Sequence, residues 1–381
     1  MKRSLTAKVR RMNRLMGPTT LTRKTRSFQD AMTGFMVDSA LAPFAAFIPN
    51  AAKPRKADVS QTSRKRGSVA KQRLKAKSLK PNETARSPGD EASPRIPTGA
   101  RYITRKHNGT TGSRAFKLYL PASRPKQPKG LILMLHGCDQ TPDDFAVGTR
   151  MNLLAEKHGL AIAYPAQTEG HNSASCWNWF KPDHQARGAG EPAILASLTR
   201  KLMKEFGLGR ESVFVAGLSS GGAMAAILAD VYPDVFSAAG IHSGLSRGTA
   251  RNVISAMSAM RSGGTPGDIA PATPAGPNPT RRIIFHGDTD STVHPSNAPI
   301  IVAAAMGDEA VPTKEIKRSV RGRGYARSEY AGPNGAVLLE LWMIEGASHG
   351  WSGGHAAGSY TDTKGPDASA QMVRFFLENS T

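Results

Sequence analysis

A serine hydroxyl is a poor nucleophile at neutral pH unless a histidine takes its proton and a carboxylate holds that histidine in the right tautomer. Serines between glycines, and Asp and His residues behind apolar runs, are therefore the residues to weigh first. Gly-x-Ser-x-Gly occurs four times, at 217–221, 244–248, 346–350 and 350–354. Only the match at Ser219 joins a compact β-forming run, Val213-Phe214-Val215, directly to a long Ala-rich helical pattern, with Gly222 letting that helix pack close. Such a strand-turn-helix junction holds a hydroxyl clear of a sheet edge. Ser246 is the rival, but Gly240 breaks the run before it and the helical pattern after it is shorter. Downstream, Asp290 and His349 each follow an apolar run, in the order nucleophile, acid, base. Asp288 is the alternative acid, nearer its strand end and suited to capping a turn. The alternative bases are His294, only four residues beyond Asp290, and His355, deeper in a Gly-rich loop.

Positioning three loop residues at one sheet edge requires alternating strands and helices, and the apolar periodicity supplies them. Strands are expected at 101–105 and 113–120, with a hairpin turn at Asn108-Gly109. Fully apolar strands follow at 130–135, 160–164 and 213–215, with further strands at 281–285, 318–330 and 336–344. Helices are expected at 143–158, 191–206, 223–232, from after Ser246 to Met260, and at 367–378. Residues 263–280 are rich in Pro and Gly and read as a surface excursion. The expected fold class is α/β, a mostly parallel central sheet with helices on both faces.

At 381 residues the chain has room for one such domain with an extension. The charge separates the two: residues 1–100 carry 22 Lys or Arg against 6 Asp or Glu, most of the net +22. Scattered apolar residues without periodicity cannot offset ordering entropy, so residues 1–97 are expected to be a basic, largely disordered extension and 98–381 the catalytic domain. The apolar stretch 28–48 suits a short amphipathic helix and is too interrupted to cross a membrane. No secretory signal is visible, since basic residues run from Lys2 to Arg26 without an apolar block. Arg64-Lys65-Arg66 and the run from Lys71 to Lys80 read as a solvated linker or as a contact for an anionic surface. No interleaved aromatics support specific nucleic-acid binding.

Six motifs in order, LHGCDQ, CWNWF, GLSSGGAMA, HSGL, FHGDTDSTVHPSN and HGWSGG, resemble the polyhydroxybutyrate depolymerase family of esterases over residues 98–381. The resemblance implies an α/β-hydrolase whose triad matches Ser219, Asp290 and His349, which hydrolyses short-chain polyhydroxyalkanoates through an acyl-enzyme with no metal or organic cofactor. Its family members often carry an export signal, which points to an extracellular chain, with the cytoplasm as the alternative. Two other readings stand beside it: an acetyl or feruloyl esterase on plant polysaccharide, and a non-catalytic granule- or nucleic-acid-binding protein. An oxyanion hole in this fold takes one N–H from the residue after the nucleophile, Ser220, and another from the loop after 130–135, where Cys138 stands. Trp177, Trp179 and Trp351, with His136, are candidates for a substrate-binding wall, although the 176–180 loop equally suits structural packing. Cys138 and Cys176, the only two cysteines, are either unrelated buried thiols or a disulfide pinning the oxyanion loop to the aromatic loop.

Overall fold

The computed structural model describes residues 93–264 and 279–378. Most of the basic extension, its apolar stretch and the 263–280 excursion lie outside these residues. Ten strands form one sheet: β1 (Arg101–Gly109), β2 (Gly112–Leu120), β3 (Gly130–Leu135), β4 (Leu160–Pro165), β5 (Val213–Leu218), β6 (Ala238–His242), β7 (Arg281–Gly287), β8 (Lys314–Val320), β9 (Arg323–Ala331) and β10 (Val337–Ile344). Their spatial order is β1-β2-β4-β3-β5-β6-β7-β10-β9-β8. The six central strands run parallel, and antiparallel hairpins close both edges.

A strand buried on both faces reads as a continuous apolar run, and β3 is such a case. Leu131, Leu133 and Leu135 enter one core while Ile132 and Met134 enter the other. The first core is covered by α3 (Gly190–Phe206), α4 (Ser220–Val231), α5 (Val253–Ser262) and α6 (Asn297–Met306). The second is covered by α1 (Pro142–Thr149), α2 (Met151–His158) and α7 (Ala368–Leu377), with Phe214 stacked on Phe376 at 4.9 Å. Among the described residues, no helix is long and apolar enough to cross a membrane.

Four local expectations need correction. The first hairpin turns at Thr110-Thr111 instead of Asn108-Gly109, because full pairing of β1 with β2 carries the register to Gly109↔Gly112. The helix expected at 143–158 is two helices, broken where Arg150 takes a left-handed φ of 53°. The strand expected at 318–330 is the hairpin β8–β9, turning at Arg321-Gly322 with φ of 49° and 75°. Helix α6 was not expected at all.

Candidate active site

Ser219 sits between the last residue of β5 and the first of α4, with φ 56° and ψ −118°. A non-glycine residue there costs on the order of 1–3 kcal/mol and persists only where its surroundings impose it. They do so here. Ser219 N–H donates to His242 O at 2.9 Å, and neighbouring backbones leave no room for a side chain at the flanking glycines. A Cβ at Gly217 would lie 2.3 Å from Gly221 O, and one at Gly221 only 2.1 Å from Leu135 O. The turn is therefore wedged between β3 and β6, and the serine faces the loops beyond the sheet edge. Ser246 has no equivalent geometry; its Oγ turns to its own backbone, toward Arg247 O at 3.5 Å.

Strands β7 and β10 are neighbours, with Gly287 opposite Ile344, so their C-terminal loops emerge side by side. This brings Asp290 to His349, whose Nδ1 lies 2.8 Å from Asp290 Oδ2. The other carboxylate oxygen accepts the N–H groups of Thr292 at 3.0 Å and Val293 at 2.9 Å. Burial raises the Asp290 carboxyl, but His349, the Val293 N–H and His286 together hold it below its ordinary value. His286 donates from Nε2 to Val293 O at 2.8 Å and so braces the same turn. Asp288 accepts Gly346 N–H at 2.7 Å, which closes the turn between the two loops. His294 pairs with Ser296 Oγ at 2.8 Å, and His355 accepts Ala357 N–H at 3.2 Å.

The loop after β3 runs beside the elbow: a Cβ on Gly137 would stand 3.6 Å from that of Ser219. Cys138 is bonded to Cys176, with Cα atoms 4.2 Å apart, inside the reach of about 7 Å that a bridge allows. Asp139 N–H donates to Ala174 O at 2.9 Å, a second tie between the two loops. Ser220 Oγ lies 3.5 Å from Cys138 Sγ and accepts Trp177 N–H at 3.4 Å. The N–H of Ser220 opens α4, so it has no helical partner. Among the described residues, the Cys138 N–H meets no backbone acceptor either.

The expected substrate wall is a correction. Trp177 and Trp351 are 0% and 1% exposed, Trp179 is 5% and His136 is 1%, so they stand beneath and behind the site. For Trp177 and Trp351 the reason is that the indole N–H finds a partner inside the protein. Trp177 donates to His136 O at 3.1 Å and Trp351 to Ser369 Oγ at 3.0 Å. Arg114 lies over Trp177 at 5.5 Å, and His242 stacks on Trp351 at 5.2 Å. His136 donates from Nδ1 to Gly137 O and accepts Gln167 N–H at Nε2, so it is fixed as a neutral ring. Burial pushes its pKa down to about 4, and that of His242 to about 3.

Four supporting residues were assigned no role from the sequence, although Gln140 ends the LHGCDQ motif. Gln140 accepts Gly137 N–H at 2.8 Å while its amide donates to Ser359 O at 3.1 Å and to Asp144 Oδ2 at 3.0 Å. Glu191, buried at the start of α3, accepts Asn178 N–H at 2.8 Å and Asn178 Nδ2 at 2.9 Å, and faces Arg114 at 3.7 Å. Gln167 links that cluster to the aromatic loop through Cys176 O at 2.9 Å. Tyr360 stands edge-on to His349, ring centres 6.4 Å apart.

A largely parallel sheet clothed on both faces, with a strained serine at one strand end and a joined Asp-His pair at two others, is the architecture of the α/β-hydrolases. The acetyl xylan esterase from Aspergillus awamori shares it: TM-score 0.53 and 22% identity, covering 66% of this chain and 93% of that one. The family model for Esterase PHB depolymerase matches residues 114–308, and the chain belongs to that family. Poly(3-hydroxyalkanoate) depolymerase C of Paucimonas lemoignei is 32% identical over 61% of this chain and 56% of its own length. Poly(3-hydroxybutyrate) depolymerase of Ralstonia pickettii is 30% identical, over 62% and 51% respectively. A probable acetylxylan esterase A of Neosartorya fischeri is 29% identical, over 55% and 60%. The chain thus spans about half to three-fifths of the length of these curated relatives.

Proposed function

We propose that residues 98–381 form a serine esterase acting through an acyl-enzyme. Ser219 Oγ attacks the ester carbonyl carbon while His349 accepts its proton at Nε2, and Asp290 holds the other ring nitrogen and stabilises the imidazolium. The carbonyl oxygen, now an oxyanion, is met by the N–H groups of Ser220 and Cys138, the first reinforced by the positive end of α4. The tetrahedral adduct collapses, and the alcohol leaves with the proton returned by His349. Water then repeats the sequence, releasing the acid and restoring Ser219. The observation that carries this reading is the 2.8 Å Asp290–His349 pair after β7 and β10, at the same end of the parallel sheet as the strained serine after β5.

The favoured substrates are esters of short hydroxyalkanoic acids, oligomers of 3-hydroxybutyrate above all, in keeping with the named activities of the two bacterial depolymerases. The acetylxylan esterase relative supports a second reading, removal of acetyl groups from a polysaccharide. A non-catalytic role is disfavoured because nucleophile, base and acid are all retained. The Cys138–Cys176 bond favours an oxidising, extracellular setting. The basic extension is kept as an anionic-surface contact, whose salt-sensitive retention on anionic beads should vanish when residues 1–95 are deleted.

A fluorophosphonate probe tests the chemistry. Labelling is expected at Ser219 and nowhere else, and an active Ser219→Ala variant would overturn the assignment. A panel of hydroxybutyrate oligomers and acetyl or feruloyl glycosides tests the substrate. More than about a tenfold preference in kcat/KM for a glycoside, or about 1.4 kcal/mol in transition-state binding, would move the substrate to polysaccharide.

A further inference from the structure

Among the described residues Tyr360 is unusual in being a large aromatic side chain that is 45% exposed while its backbone is strained, with φ 49°. Exposure of one ring needs no explanation, but a bulky residue held at positive φ does. Both flanks of Tyr360 are fixed. On one side Ser359 N–H donates to Asp144 Oδ1 at 2.8 Å, and Gln140 donates to Ser359 O. On the other, Thr361 Oγ1 donates to His355 O at 3.0 Å. Thr361 also pairs, in the short strand Thr361–Asp362, with Trp351 of Trp351–Ser352. Tyr360 O itself accepts Trp351 N–H at 2.7 Å. The loop is thereby locked in a form that leaves the ring outside the core and places it beside His349.

We infer that the Tyr360 ring is the platform for the alcohol half of the ester, an apolar or ring-bearing group packed against its face. The inference rests on the assignment of His349 as the general base. That base must later protonate the departing alcohol, so the alcohol oxygen comes within hydrogen-bond reach of it in the transition state. A ring next to the base on the open side therefore meets whatever the alcohol oxygen carries. Gln140 bonds both Gly137 and Ser359, so one side chain sets the spacing between the oxyanion loop and the ring. The aromatic contact expected of the buried tryptophans is thus supplied by Tyr360. Burial, and after it the nearby carboxylates of Asp139 and Asp144, raise the pKa of its hydroxyl, so it stays a neutral phenol at the cleft rim.

Two esters with the same acyl group separate this role from a structural one: ethyl butyrate, with a small alcohol, and benzyl butyrate, with a ring-bearing one. In Tyr360→Ala the ratio of kcat/KM for benzyl over ethyl butyrate is expected to fall about tenfold, mainly through a higher KM for the benzyl ester. Tyr360→Phe, which keeps the ring, is expected to restore the ratio. An unchanged ratio in Tyr360→Ala, whether or not both activities fall together, would overturn the inference, as would loss of the ratio in Tyr360→Phe. Should the unaltered chain hydrolyse neither ester and resist the fluorophosphonate, the esterase assignment itself fails, and this inference with it.

Discussion

His349 Nδ1 and Asp290 Oδ2 are 2.8 Å apart, and the carboxylate's second oxygen is already saturated by two backbone N–H groups. Asp290 is thus held in one orientation and has a single free direction in which to accept a proton donor. Asp290→Asn keeps the size and can keep the two backbone bonds, but presents an N–H to a nitrogen that must itself donate. The wrong tautomer follows, and kcat should fall about ten-thousandfold with little loss of thermal stability. A fall of less than tenfold would show that Asp290 is not the orienting acid.

The elbow makes a steric prediction. Adding one methyl group at Gly221 drives it against Leu135 O and His136 O, at 2.1 and 2.5 Å, both of which are rigid backbone. Gly221→Ala should cost roughly 1–3 kcal/mol of stability or more and displace the oxyanion loop. Urea unfolding together with kcat reads both effects. A variant with unaltered midpoint and turnover would mean that the loop is free to yield.

The Cys138–Cys176 bond closes a separation of 38 residues. Chain-entropy reasoning puts its contribution at about 3–4 kcal/mol. Because Cys138 also supplies an oxyanion N–H in the proposed mechanism, reduction should lower kcat even well below the melting temperature of the reduced chain. Turnover that survives dithiothreitol while Tm falls would leave the bridge a purely structural part.

Acid stability depends on histidines that the fold keeps neutral. Burial lowers the pKa of His136 to about 4 and of His242 to about 3, and lowers that of His286 as well. The unfolded chain binds a proton at each near pH 6.5, roughly, while the folded chain refuses it. Unfolding therefore takes up protons in this window, so stability is highest above about pH 6.5 and declines as the pH falls toward 4. Thermal melts should show Tm roughly 5 °C or more lower at pH 5 than at pH 8. An equal or higher Tm at pH 5 would refute the neutral, buried assignment.

Much of this arrangement was legible because chemistry and periodicity coincided. The β-forming run before Ser219, the glycines around it and the strand-like runs before Asp290 and His349 are local signals, and local signals survive into the fold. Helix α6 was missed because its start, Asn297-Ala298-Pro299, continues a Ser- and Pro-bearing loop and its apolar residues show no polar face to mark a period. The β8–β9 hairpin was missed because its turn carries Arg321 where Asn or Asp would have announced it. The tryptophans were misplaced for a different reason. Their motifs located them on the right loops, but whether a side chain on a loop points outward or under the sheet edge depends on partners distant in sequence, such as Ser369 for Trp351.

Gln140 has a consequence for anyone wishing to re-engineer this scaffold. One amide joins Gly137 of the loop after β3 to Ser359, the neighbour of Tyr360, which lies 219 residues beyond Gln140 in the chain. The loop carrying Tyr360 is consequently not an interchangeable module. Grafting in a foreign 355–361 segment would strip Gln140 and Asp144 of their counterparts and let the oxyanion loop drift, so a transplanted specificity would arrive with a weakened catalyst unless residues 140 and 144 travel with it.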